Sequence, residues 1–260
     1  MSRLRFGTFF FFQAAPGQRH EDIIRNELTQ VEWSEELGFD EVWFTEHHFI
    51  DYGLSVDPAT LAAAAASRTR QRPHPPLYQV CVTKDGIENT ALRGWPMLNS
   101  VLFGPVDQLV TNRDTYVNTL DKAGRTPEEI AALLARWGVS RQIYVADTDA
   151  KALAEAKDAE LWYQDSFRRF VIPERIEDAH PTLQPAFRAM ADRLGTITWE
   201  ALVAETLAFG SPDTVARHIE YMRSIGVGQV LCWMNFGGLS QDRIRRSMEL
   251  FAREVMPRFR

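Results

Sequence analysis

Cysteine is scarce in this chain: 260 residues contain two, Cys81 and Cys232, each inside an apolar run. That count excludes a disulfide-framed module and a cysteine-rich metal site, and both residues read as reduced core thiols. Positive charge is in short supply as well. Lys and Arg number 29 against 35 Asp and Glu, giving a formal net charge of −6 and a pI near 5.6. Nucleic acid and anionic membranes select basic faces, so no nucleic-acid or membrane partner is expected. Long hydrophobic runs are missing too. The apolar stretch 9–12 is too short for a membrane span or the core of a secretion signal, and no cleavage pattern follows it. The cytoplasm is the expected compartment. No internal repeat is evident.

Apolar and aromatic residues are plentiful. The chain is 45% hydrophobic, with seven Trp and sixteen Phe, enough for one large α/β core. Those rings suit a thick core and a deep organic-ligand pocket equally well. Short apolar runs at 4–12, 41–45, 77–82, 96–103, 142–146 and 229–234 predict strands, with a short strand possible near Phe209. Between them lie segments of helical period. The first, 20–37, carries Ile23, Ile24, Leu28, Val31 and Leu37 and stops at Gly38. Asp57-Pro58 and Ser211-Pro212 read as N-caps with proline at the first helical position. The alanine string 62–66 reads as close approach of another helix, a subunit interface, or simple helix propensity. Arg68, Arg70 and Arg72 read as a solvated basic run. Residues 172–198 hold three prolines and no clean period, the composition of a loop insertion that can act as a lid. Alternation of strand and helix predicts a parallel sheet within a single domain over 1–260.

One stretch concentrates ionisable groups at a strand end: the strand 41–45 runs directly into Glu46, His47 and His48. The C-terminal ends of parallel strands are where α/β barrels place their chemistry. A histidine there can move protons near neutral pH. Glu46 either orients His47 or faces solvent, and His48 reads as structural or as rim. Three consecutive residues cannot easily converge on one ion, so no metal is expected. Thr83 and Lys84 open the helix after the third strand, where orphan N–H groups favour an anion. Capping alone accounts for Thr83 equally well. Trp233 ends the last strand and reads as core or as pocket wall.

The stretches Gly38-Phe39-Asp40-Glu41-Val42-Trp43-Phe44-Thr45-Glu46-His47-His48-Phe49, Pro75-Pro76-Leu77-Tyr78, Gly94-Trp95-Pro96-Met97 and Gly210-Ser211-Pro212-Asp213-Thr214-Val215 occur in this order. Together they resemble the luciferase-like flavin-dependent monooxygenases. The resemblance implies a (β/α)8 barrel of the TIM type, reduced FMN or alternatively F420 as cofactor, and O2 with a small, aldehyde-like organic substrate. It implies a supply of reduced flavin from a reductase. It places His47 at the family's catalytic histidine, with Glu46 beside it as the candidate orienting acid, and Thr83 at a hydroxyl that serves the FMN phosphate; Lys84 could add charge there, and Trp233 could line the flavin pocket. The exposed flank of a shortened barrel predicts self-association, as a homo- or hetero-oligomer such as a dimer. The chain departs from the family between Ala66 and Leu77, where barrel strands three and four are absent. The expected fold is therefore a barrel incomplete by about two βα units, with N-terminal units in 1–70 and C-terminal units in 77–260.

Overall fold

The computed structural model describes residues 3–47, 53–55, 57–69, 78–81, 83–101 and 105–260. The first strand, β1 (Arg5–Phe10), is followed by α1 (His20–Glu36), which turns Ile23, Leu28 and Val31 inward. Gly38, at φ +77°, reverses the chain into β2 (Glu41–Phe44). The helix α2 (Pro58–Arg68) is capped by Asp57, whose carboxylate accepts the N–H groups of Ala59 and Thr60. Next come β3 (Gln79–Val80), α3 (Lys84–Arg93), β4 (Met97–Val101) and α4 (Gln108–Lys122). They are followed by α5 (Pro127–Leu134), β5 (Gly138–Val145) and α6 (Asp149–Val171). A 3-10 turn at Ile176–Asp178, α7 (Gln184–Gly195) and the short α8 (Trp199–Ala201) lead to β6 (Ala208–Gly210). The chain closes with α9 (Pro212–Ser224), β7 (Gln229–Trp233), α10 (Gln241–Leu250), a π turn and a 3-10 turn.

Two elements differ from the sequence expectation. Helix α5 lies in a stretch that the sequence reading left unassigned. Its Thr126–Glu129 capping box is complete, and Ile130, Leu133 and Leu134 form a short, half-buried apolar stripe against the core. Strand β5 begins at Gly138 rather than 142. All eight of its residues are buried, and a strand covered on both faces loses the alternation that marks a strand. The segment 172–198 holds a twelve-residue helix, α7, that packs on the 3-10 turn before it.

All strand pairs are parallel, in the order β2-β1-β7-β5-β4-β3, with β6 added beside the end of β5. The result is a curled sheet, an incomplete TIM-type barrel whose two edges are β2 and β3. The connection β2–α2–β3 joins those edges, which is where two further βα units would complete eight strands. The outer face carries Phe6, Val139, Ile143, Val230 and Cys232, which form one core with Ile219, Met248 and Phe251 of the helices. Burying each such side chain contributes about 1.5–3 kcal/mol. A second cluster joins Phe10, Phe12, Leu28 and Val31 under α2, with Ala65 as its buried alanine. Cys81 and Cys232 are both buried free thiols. Among the described residues no helix is long and apolar enough to cross a membrane.

The inner face is filled by residues from both edges. The rings of Trp43 (β2) and Tyr78 (beside β3) meet edge to face at 4.7 Å, and Tyr78 Oη donates to Gln229 Oε1 at 3.1 Å. Glu41 pairs with Arg5 at 3.1 Å. Burial raises the Glu41 pKa, opposed by Arg5. Trp43 and Glu41 lie over Gly7, where a Cβ would come within 2.9 Å of both. Gly7→Val therefore has to displace a packed ring or break the Glu41 pair. It is expected to lower unfolding free energy by roughly 1–3 kcal/mol in urea titration; an unchanged midpoint would disprove the packing.

Candidate functional site

At the C-terminal end of β1 the chain leaves the sheet through an unusual conformation. Phe12 has φ +56°, in the left-handed region that a bulky residue seldom occupies. Glu27 of α1 holds it there: its carboxylate accepts the Phe12 N–H at 3.0 Å. Burial pushes the Glu27 pKa up to about 8, against the pull of the Phe12 and Gln13 N–H groups. Gln13 continues the turn, accepting the Gly237 N–H at 2.8 Å and pairing with Gly53. This fixes Phe11 beneath the end of β2.

The end of β2 is fixed by Ser55. Its hydroxyl donates to the Thr45 carbonyl, and its own carbonyl accepts the His47 N–H at 2.7 Å. The half-buried His47 ring lies 4.4 Å from that of Phe11, tilted 32°. Phe11 in turn stacks on Trp233 at 5.2 Å and 13°. Phe9 meets Trp233 edge-on at 5.9 Å, and Tyr163 of α6 at 4.8 Å and 82°. Trp233 Nε1 donates to the Asn235 carbonyl at 2.6 Å. Three adjacent strand ends, β2, β1 and β7, thus present one continuous series of flat rings.

Helix α6 crosses the ends of β5 and β7. Gly237 sits directly against the Ala159 carbonyl, a place no Cβ could occupy. Beside Trp233 in the β5–β7 register is Gln142, whose Nε2 donates to Glu160 Oε2 at 2.6 Å. Gln164 Nε2 donates to Glu160 Oε1 at 2.5 Å. Burial pushes the Glu160 pKa up to about 8, and the two amides lower it. The barrel side of this wall holds polar atoms with no hydrogen-bond partner among the described residues, Ser140 Oγ and Gln142 Oε1.

The structure brings His47 and Trp233 together through Phe11. Glu46 is exposed at the same strand end. His48 and Phe49 lie outside the described residues. Thr83 caps α3, accepting the Gly86 N–H at 3.2 Å, and Lys84 is 75% exposed with Glu88 at 3.7 Å. Neither has a contact with the ring series among the described residues. Sequence reading did not find Phe11, Gln142, Glu160, Tyr163 or Glu27. A signal existed for the two acids: Glu27 shares a helical face with Ile23 and Val31, and Glu160 with Ala152, Ala156 and Tyr163. A carboxylate on a buried stripe marks such a group.

A cavity of about 160 Å³ lies elsewhere, between the end of β5, α6 and α10. Its charges are paired, Lys151 with Asp147 at 2.6 Å and Arg246 with Glu155 at 3.4 Å. It is a salt-bridged groove.

The parallel, curled sheet defines an incomplete α/β barrel, with histidine, tryptophan and a buried acid at its C-terminal strand ends. The family profile described as luciferase-like monooxygenase matches residues 4–72 and 69–229, and the chain belongs to that family. The two matched segments meet at the link between β2 and β3, where the barrel is short. The 2,5-diketocamphane 1,2-monooxygenase 1 of Pseudomonas putida is 29% identical over 167 residues, covering 61% of this chain and 42% of its own length. The chain thus spans less than half the length of this relative. Among solved structures, the oxygenating constituent of 3,6-diketocamphane monooxygenase from Pseudomonas putida, in complex with FMN, superposes with a TM-score of 0.74 at 15% identity, covering 100% of this chain and 99% of that one. An F420-dependent secondary alcohol dehydrogenase superposes with a TM-score of 0.68 at 10% identity, each chain covered completely.

The buried groups set a pH dependence of stability. Glu27 and Glu160 have folded pKa values raised from 4.5 to about 8, so their contribution is full below pH 4.5 and is lost as pH rises through 8. His218, on α9, is buried beside Arg141 at 3.4 Å. Burial, then Arg141, depresses its pKa from 6.5 to about 4, so its contribution is full above 6.5 and lost as pH falls through 4. Thermal unfolding followed by circular dichroism is expected to show stability falling from pH 4.5 to 8, with a shallower fall in Glu160→Gln. His218→Phe is expected to flatten the acid limb; parallel curves for all three proteins would refute the assignment.

Proposed function

We propose that this chain is a flavin-dependent oxidoreductase of the monooxygenase type, acting on a small, aldehyde-like organic substrate with reduced FMN and O2. The observation that carries the reading is the ring series His47–Phe11–Trp233 across three strand ends, backed by the Gln142–Glu160 pair. Flat apolar faces, an amide and an acid that burial keeps uncharged near neutrality fit a planar, polar-edged heterocycle. The orphaned polar atoms of Ser140 and Gln142 fit the same group. Trp233 and Gln142 would hold it, and a reduced flavin, when bound, supplies the two electrons that activate dioxygen. His47 would act as the acid/base, taking or returning a substrate proton at an imidazole nitrogen, because imidazole changes charge near pH 7. Phe11 packs against that ring, which excludes water from one side of it. Glu46 would tune His47 from the strand end, and Thr83 and Lys84, at the N-terminus of α3, would serve a phosphate. In this reading 1–260 is one barrel domain, 172–198 is its lid, a separate reductase supplies reduced flavin, and the protein works as an oligomer. F420 is the alternative cofactor, since it carries a flavin-like tricycle.

A second reading is a non-catalytic flavoprotein or partner subunit. The shortened barrel, with β2 and β3 as edges, favours it. Titration with FMN followed by flavin fluorescence, then turnover with photoreduced FMN and a panel of aldehydes, separates the two. The enzyme reading expects saturable binding and a loss of turnover of about 10²–10⁴-fold in His47→Ala with binding retained. Binding without turnover in the unaltered protein, or no binding at millimolar flavin, overturns the enzyme reading and points to the second, in which flavin binding is weak or absent.

A further inference from the structure

Glu160 is a fully buried carboxyl in the site wall to which the proposed chemistry gives no task. Both its oxygens are taken by side-chain amides, Gln142 at 2.6 Å and Gln164 at 2.5 Å. A fold has little need of such a group, because an apolar side chain of similar volume in a core is often equally stable or better. What the arrangement does fix is the Gln142 amide. With Nε2 turned to Glu160, Oε1 is left buried and without a hydrogen-bond partner among the described residues. Buried acceptors are rarely left so. Gln142 is paired with Trp233 across the β5–β7 register, so this acceptor belongs to the same wall as the ring series.

We infer that Gln142 is a specificity-determining contact for a planar ligand with an imide-type N–H on its edge, and that Glu160, with Gln164, is the positioning group that turns Oε1 toward it. The inference rests on the flavin reading above, because flavin and deazaflavin rings carry one such N–H between two carbonyls. Gln142 Oε1 accepts from that N–H, and Glu160 never touches the ligand.

The test uses the full chain with two probes, lumiflavin and 3-methyllumiflavin, which differ only at this N–H. Binding is read by flavin fluorescence and folding by thermal unfolding. The unaltered protein is expected to prefer lumiflavin by about tenfold, the size of one net hydrogen bond. Gln142→Met is expected to abolish the preference while still unfolding cooperatively. Glu160→Gln, which keeps the volume, is expected to reduce it, and the double variant to fall no further than Gln142→Met. Equal binding of both probes by the unaltered protein overturns the inference and leaves the flavin reading standing. A preference that survives in Gln142→Met, or Glu160→Gln shifting only the unfolding temperature, likewise overturns it. Binding of neither probe, nor of FMN, removes the flavin reading itself and this inference with it.

Discussion

Trp43 reaches Tyr78 because Gly7 has no side chain. That contact joins the two edges of a sheet too short to close by hydrogen bonds, and the shape of the molecule depends on it. A parallel sheet is stable when both faces are covered. Here helices cover the outer face, while the inner face relies on large side chains reaching inward from β2 and from beside β3. The Tyr78–Gln229 hydrogen bond and the Arg5–Glu41 pair add polar ties across the same interior. Two rings and one bare glycine thus take the place that further strands hold in a complete barrel.

The same economy shapes the site. The ends of β1, β2 and β7 each contribute a ring, and each end is fixed by a hydrogen bond to backbone rather than by a salt bridge. Glu27 holds Phe12, Ser55 holds His47, and Asn235 holds Trp233. The two buried acids have no cation among the causes that set their pKa values. Uncharged or amide-paired groups can be packed among aromatic rings without the desolvation cost of a full ion. The wall is therefore polar in its hydrogen bonding and nearly neutral in charge, a combination suited to an uncharged organic guest.

Much of the fold was legible in the sequence, and the site only partly so. The β1–α1–β2 unit announced itself through the Phe-rich run, the 3.6-residue period of Ile23, Leu28 and Val31, and the stop at Gly38. The missing pair of βα units could be read from the short passage between Ala66 and Leu77. Strand β5 was harder to bound, because burial on both faces erases its period, and α5 is short, with an apolar stripe of three half-buried residues. His47 and Trp233 stood out because they end strands. Phe11 looked like any other member of a greasy run. Its role depends on the left-handed turn at Phe12, and that turn depends on an acid fifteen residues away. Gln142 and Glu160 meet only through the packing of α6, which no local pattern records.

The position of β1 carries one more consequence. It lies between β2 and β7, and Leu4 donates to the carbonyl of Phe259. The Gln13–Gly237 hydrogen bond joins residues 224 positions apart. During synthesis β1 therefore keeps the edge that β7 covers unpaired until β7 has been made. Trp233 arrives with that final strand, so the ring series on which His47 rests is assembled last. Contacts of such long range close slowly, and an open strand edge recruits other chains in the meantime. The order of manufacture thus runs against the order of assembly: β1 is made before β7 and waits for it to complete its pairing.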